Sequence, residues 1–244
     1  MMFPVYFYLG AWQIHPHPVF EALAYTVAFR VALRNFRTDT IATTQRTSIM
    51  VGGLAGALVG AKLLVVFQHL NIVWRNPTDL FLLVMQGKTV VGALLGAIVG
   101  VEITKHFLGV KQSTGDAFVL PLILGTMIGR VGCFLTGLSD LTCGTVTDLP
   151  WGVDFGDGLS RHPTQLYEIL FLGVLLVVIQ VRSRFKLRSG DAFKFYTIGY
   201  LSFRLLVDFI KPDFYPMFGL SAIQIACILG IGYYHRSFYD FFRI

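Results

Sequence analysis

The chain has 244 residues, of which 55% are hydrophobic and only 14% charged, and its mean hydropathy is +0.65. A soluble domain of this size carries about 25% charged residues, so the composition excludes an ordinary soluble enzyme and predicts an all-α, polytopic membrane protein. The net charge of +6 calls for no nucleic acid, because basic residues of membrane proteins collect in cytoplasmic loops.

The first segment, Met1–Pro18, is aromatic and broken by prolines (Tyr6, Tyr8, Trp12, His15-Pro16-His17-Pro18). It is expected to lie as an arm at the headgroup level, where tyrosine and tryptophan are favoured. No charged stretch precedes an apolar core at Met1, so no cleaved signal peptide is expected. A span needs roughly 17–25 apolar residues. Seven candidates follow, at about Val19–Leu33, Ile49–His69, Val90–Lys105, Ala117–Leu135, Gln165–Val181, Phe193–Ile210 and Leu220–Tyr234.

The loops between them differ in charge. Arg34, Arg37 and Arg46 follow the first span, and Lys105 and Lys111 the third. Arg182, Arg184, Lys186, Arg188 and Lys194 lie between the fifth and sixth, and Arg236 and Arg243 follow the seventh. The opposite loops hold Arg75, Lys88, Arg161 and Lys211 among several aspartates. The positive-inside rule then predicts about seven transmembrane helices with the N-terminus outside and the C-terminus in the cytoplasm. The whole chain, 1–244, is expected to be one integral membrane domain, with residues 137–163 as its main extracytoplasmic loop.

Gly52, Gly56 and Gly60 in the second span, and Gly92, Gly96 and Gly100 in the third, recur every fourth position. That spacing lines one helix face and lets two backbones approach closely.

Charges inside an apolar run are expensive and are functional candidates by default. The set here is Glu21, Lys62, Glu102, Arg130, Glu168, Arg204 and Asp208. Lys62 and Glu102 are expected to pair structurally or to snorkel toward an interface. Arg204 and Asp208 are four apart on one helix, so they pair with each other or join Arg130 in a cluster. Two buried arginines without two equally close carboxylates imply an anionic ligand, and the planar guanidinium fork suits a phosphate. At membrane depth the abundant phosphate is a phospholipid headgroup.

Neither a phosphate-binding GxxxxGK[ST] loop nor a GxSxG elbow occurs. His15 and His17 are too sparse to predict a metal site and are assigned to packing or interface anchoring, so neither metal nor cofactor is expected. His162 stands beside Arg161 at the start of the fifth span, where it exchanges a proton near neutral pH or packs and orients Glu168. Gly152, Gly156, Gly158 and Pro150 make the outer loop a series of turns that fold back over the site. Cys133, Cys143 and Cys227 are taken as free thiols, although Cys133 and Cys143 fall on the same side.

Gly129-Arg130-Val131-Gly132-x-Phe134 with Gly137 resembles the GRxGNFxNxE pattern of the prolipoprotein diacylglyceryl transferases of bacterial inner membranes. Thr147-Asp148-Leu149-Pro150-Trp151-Gly152-Val153 and Arg161-His162-Pro163-Thr164-Gln165-Leu166-Tyr167-Glu168 are similar to that family's outer loop and following helix. Tyr200-x-x-x-Arg204 with Asp208-Phe209 and Pro212-Asp213, and Gly219-Leu220-Ser221-x-x-Gln224, resemble its last two helices. The resemblance implies transfer of the diacylglyceryl group from phosphatidylglycerol to the lipobox cysteine of a preprolipoprotein, giving a thioether and releasing glycerol phosphate. It implies catalytic roles for Arg130, Arg204, His162 and Glu168. It also implies substrate contacts by Tyr200, Gly132, Gly137, Arg161, Gln165 and Tyr167, with membrane lipids as the surrounding partners.

At some positions the chain departs from the family pattern. Val91 stands where the family has a histidine, Cys133 where it has an asparagine, Thr136 where a second one is common, and Leu138 at the usual glutamate, with Asp140 close by. Either the histidine is dispensable, or His162, Glu168 or Glu21 replaces it, or the chain is a divergent branch with altered chemistry. The alternative function is a non-catalytic phospholipid-binding paralogue that scaffolds or presents lipoproteins.

Overall fold

A computed structural model describes residues 3–35, 41–70, 79–184, 187–211 and 219–242. Arg37, Arg75, Lys186, Pro212, Asp213, Arg243 and the side chain of Arg236, which enter the charge pattern or the motifs above, lie outside what is described.

Each of the seven candidate spans is a helix. They are α1 (Pro16–Asn35), α2 (Thr43–Gln68), α4 (Val90–Leu108), α5 (Asp116–Thr136), α6 (Thr164–Ser183), α7 (Asp191–Val207) and α8 (Ala222–Phe242). A short helix, α3 (Asp79–Gln86), is absent from the sequence expectation, because eight residues are too few to register as an apolar run of span length. Among the described residues, α2, α4, α5 and α6 are long and apolar enough to cross a membrane. Helix α1 carries His17, Glu21, Arg30 and Arg34, and α7 is 17 residues long and carries Asp191, Lys194 and Arg204.

The aromatic arm contains a hairpin that the sequence does not predict. Strands β1 (Phe7–Leu9) and β2 (Trp12–Ile14) pair antiparallel across a two-residue turn in which Gly10 has φ +61°. Three-residue strands are too short to leave a visible alternation. Tyr8, Leu9 and Trp12 are all exposed. A second hairpin, β3 (Val153–Asp154) with β4 (Ser160–Arg161), shapes the loop between α5 and α6.

The chain divides into two compact units, Met1–Thr38 with Thr114–Pro212 and Ser237–Ile244, and Asp39–Ser113 with Asp213–Arg236. In the second unit α2 and α4 lie backbone against backbone. A methyl group at Gly56 would strike the Gly96 carbonyl, one at Gly60 the Gly92 carbonyl, and one at Gly100 the Gly52 carbonyl. The apolar side chains therefore point outward, and Val51, Leu54, Leu58, Leu63, Val99 and Phe107 are exposed. Lys62 is satisfied by carbonyls, donating to Met85 O at 3.0 Å and Gly87 O at 2.9 Å, while Glu102 pairs with Lys105 at 2.9 Å.

In the first unit α1 packs along α5 through small residues. Gly125 faces Ala28, and a methyl at Gly132 would lie 2.6 Å from Phe20 Cβ. The starts of α5 and α7 are tied together by Asp116, whose Oδ2 accepts from Gly190 N at 2.6 Å and whose Oδ1 accepts from Phe193 N at 2.9 Å. Arg130 is 14 residues beyond Asp116, and Arg204 is 14 residues beyond Gly190. At 1.5 Å per residue both arginines sit about 21 Å from the shared tie, and so at the same level. Helix α6 enters at that level, and Glu168 lies in its second turn.

Candidate functional site

Helices α5, α6 and α7 each supply one charge to a buried cluster. Arg130 Nε is 2.9 Å from Glu168 Oε2, and Arg204 Nη1 is 3.2 Å from the same oxygen. The other oxygen, Glu168 Oε1, accepts from the Tyr200 hydroxyl at 2.8 Å. Arg130, Arg204, Glu168 and Tyr200 are 8%, 5%, 2% and 0% exposed. Two guanidinium groups thus share one carboxylate, and the Arg204 Nε is buried without a hydrogen-bond partner among the described residues. Such an arrangement has capacity for an anion.

Past the end of α7 the chain turns through a 3-10 segment, Asp208–Ile210, and reaches Lys211. Asp208 is fully buried and interacts electrostatically with Arg204 and Lys211. The cluster then contains three cations against two carboxylates. Burial, reinforced by the positive charges of Arg204 and Arg130, pulls the Lys211 ammonium down to about 7. The sequence presents Lys211 only as a loop charge; its place one turn after the Arg204–Asp208 pair is the available signal.

The residues around the loop between α5 and α6 take distinct places. Gln165, 1% exposed, donates from Nε2 to Thr142 Oγ1 at 3.0 Å and to Cys143 Sγ at 3.4 Å. With Thr164 Oγ1 donating to Thr142 O, it fastens the loop to the start of α6. Burial pushes the Cys143 thiol up. His162 Nδ1 is 3.2 Å from the Tyr167 hydroxyl, which also accepts from Trp151 Nε1 at 2.9 Å. Arg161 pairs with Asp157, with Nη2 at 2.6 Å from Oδ2; that hydrogen bond lowers the carboxyl and raises the guanidinium. Phe155, 2% exposed, packs against Phe3 and Phe134, so the loop folds back onto the end of α5 as its turn residues imply. Further backbone bonds run from Gly144 N to His162 O and from Thr145 N to Ile210 O.

Of the residues singled out in the sequence, Arg130, Glu168, Tyr200 and Arg204 are brought into direct contact. Gly132 is where α1 meets α5, and Gly137, with φ +72°, ends α5 against Phe3. His162, Gln165 and Tyr167 line the junction of α6 with the loop, and Arg161 lies on the hairpin above it. Glu168 differs in role from a free acid or base, because both of its oxygens are already engaged.

Sequence reasoning misses a second group. His17 Nδ1 is 3.0 Å from Asp140 Oδ1, and His17 Nε2 is 3.7 Å from Glu21 Oε2. Cys133 joins them, its thiol 3.9 Å from Arg130 Nη1. The packing of α1 on α5 and the 3-10 turn Gly137–Asp140 create this group, so only the i, i+4 spacing of His17 and Glu21 is visible beforehand. The position that matches the family histidine, Val91, is a buried residue of the second unit, 1% exposed.

Residues 4–235 match the family model described as prolipoprotein diacylglyceryl transferase. Curated relatives named phosphatidylglycerol–prolipoprotein diacylglyceryl transferase are similar over most of the chain. The protein from Bordetella parapertussis is 30% identical over 220 residues, covering 86% of this chain and 83% of that protein. The protein from Coxiella burnetii is 31% identical over 232 residues, covering 90% and 85%. The protein from Vibrio parahaemolyticus is 35% identical over 208 residues, covering 78% and 73%. With the helices, the paired arginines and these matches together, the chain belongs to the prolipoprotein diacylglyceryl transferase family.

Proposed function

We infer that this chain is a membrane transferase that moves the diacylglyceryl group of phosphatidylglycerol onto the lipobox cysteine thiol of preprolipoproteins. The observation that carries the reading is the sharing of one carboxylate, Glu168, by Arg130 and Arg204. The remaining positive charge and an Arg204 Nε with no hydrogen-bond partner among the described residues suit a phosphodiester. During transfer, negative charge grows on the departing glycerol phosphate, and fixed donors aimed at developing charge are often the largest catalytic contribution. In this reading Arg130 and Arg204 hold the phosphate and Tyr200 keeps Glu168 in place. Gln165, Tyr167, His162 and Arg161 shape the entry for the acceptor peptide, and Gly132 and Gly137 let α5 and its end pack closely on Phe20 and Phe3 beside it. The site faces outward from the bacterial inner membrane, with the N-terminus outside and the C-terminus in the cytoplasm.

The test is complementation of a strain depleted of its own transferase, read by the mass of the lipidated product. Membranes bearing the protein, given phosphatidylglycerol and a lipobox peptide, should yield the thioether, and Arg130→Ala and Arg204→Ala should each abolish it. Undiminished product in both variants would remove the phosphate-clamp assignment. The second reading, a lipid-binding protein without chemistry, draws on the buried Val91 in place of the family histidine. It expects saturable phosphatidylglycerol binding with no thioether.

A further inference from the structure

Three side chains from three segments meet beside Arg130. His17 comes from the first turn of α1, Cys133 from α5 and Asp140 from the 3-10 turn after it, and their donor atoms all lie within 4.8 Å of one another. His17 Nδ1 and Asp140 Oδ1 are 3.0 Å apart, yet this buried nitrogen makes no hydrogen bond among the described residues. A hydrogen bond at that distance requires the N–H to aim at the oxygen. A buried nitrogen left without a hydrogen bond among the described residues, beside a carboxylate, is one that a bound cation would satisfy. Thr142 Oγ1 donates to Asp140 Oδ2 at 2.8 Å, which fixes the carboxylate and leaves Oδ1 facing the imidazole. On the far side of the ring, Glu21 Oε2 is 3.7 Å from His17 Nε2. An outer carboxylate at the second nitrogen is the usual support of a metal-bound histidine.

We propose that His17, Cys133 and Asp140 bind a divalent transition-metal ion of the zinc type. Zinc takes nitrogen, sulfur and oxygen ligands at distances that put tetrahedral ligand atoms about 3.3–3.8 Å apart. Side-chain rotations on the order of 1 Å bring the present spread to that value. The mixed, borderline-soft donor set suits zinc, whereas magnesium and calcium take oxygen alone. Three protein ligands leave a fourth position open, the pattern of catalytic rather than structural zinc.

The use of that fourth position rests on the transferase reading. A thiol that coordinates the ion is deprotonated outright. The acceptor cysteine gives its proton to water and binds as a thiolate. Its sulfur lone pair then attacks the lipid's glycerol carbon that bears the phosphate ester. The carbon–sulfur bond forms as the carbon–oxygen bond breaks, and the electron pair leaves on the phosphate oxygen held by Arg130 and Arg204. No oxidant or reductant enters. The ion thereby supplies the thiolate in a chain whose family histidine is Val91.

The experiment uses the full-length protein purified in neutral detergent. Elemental analysis should find one zinc-type ion per chain. Cobalt(II) exchanged into the site should show visible ligand-field bands and a near-ultraviolet thiolate charge-transfer band. Cys133→Ser and, independently, His17→Gln should lose the ion while still unfolding cooperatively, and Cys227→Ser should keep it. A lipobox peptide should intensify the charge-transfer band, and the same peptide with serine for cysteine should not. Wild-type protein that is metal-free and colourless with cobalt, yet makes thioether, overturns the metal site and leaves the transferase standing. A metal-loaded protein that binds the peptide thiol but forms no thioether from phosphatidylglycerol sinks the transferase reading and leaves the metal site.

Discussion

Replacing Glu168 by glutamine isolates the charge that joins α5, α6 and α7. The amide keeps the shape and still accepts from Tyr200, but it removes the negative charge 2.9 Å from Arg130 and 3.2 Å from Arg204. At an effective dielectric of 20 those contacts are worth roughly 6 and 5 kcal/mol of gross attraction. Desolvation of the three ions offsets much of this in the wild type, but in the variant two buried guanidinium groups keep their desolvation cost without the carboxylate they share. Breaking one side of a buried pair typically costs about 3–5 kcal/mol. Glu168→Gln should therefore lower the unfolding free energy by about 3–5 kcal/mol in neutral detergent, measured by denaturant titration. An anionic lipid provides a substitute counter-ion, and a ligand present at about 100 times its Kd adds about 2.7 kcal/mol. Phosphatidylglycerol should then restore more stability to Glu168→Gln than to the wild type, while zwitterionic lipid restores none. A variant as stable as the wild type without anionic lipid would refute the shared-carboxylate account.

Lys211, held at about 7 by burial and by its arginine neighbours, predicts a pH dependence. Its folded value lies below the usual lysine value of 10.5. Only the unfolded chain keeps the proton between these two values, so the contribution to stability rises with pH across that window and is constant outside it. Lys211→Gln should flatten that rise in unfolding curves recorded from about pH 6 to 10, and an unchanged profile would count against the lowered Lys211 value. Phosphatidylglycerol affinity should also fall as pH rises through about 7 in the wild type, and binding isotherms on Lys211→Gln should lack that fall. In the second unit, Gly96→Val should prevent α2 and α4 from meeting and cost at least the about 1–3 kcal/mol of other overpacked cores. Gly232→Ala, where a methyl meets nothing within 4 Å, should be tolerated, and thermal unfolding in detergent compares the two.

The arginine–glutamate cluster is legible in the sequence because charges within apolar runs are few and each needs a reason. Arg130, Glu168 and Arg204 stand out by their cost alone, and equal offsets from a shared helix tie explain why the two arginines meet at one level. Their pairing is not legible. The sequence expects Arg204 either to pair with Asp208 one turn on or to face an anion without a carboxylate, but the carboxylate it contacts belongs to a third helix. His17 escapes notice for the same reason. Its partners are 116 and 123 positions away, and nothing local distinguishes it from a histidine anchored at the interface. The two hairpins are missed because strands of two or three residues leave no periodic trace.

The glycine seam between α2 and α4 divides these helices by tolerance to substitution. On the outward side, exchanging Leu54 or Leu58 for another apolar residue changes only what lipid touches, so sequence can drift there with little effect. Along Gly52, Gly56, Gly60, Gly92, Gly96 and Gly100 even the smallest added side chain collides with the facing helix, and that helix cannot move aside without opening the pair. The two helices should therefore age as two surfaces, one nearly free and one nearly fixed, within the same few turns.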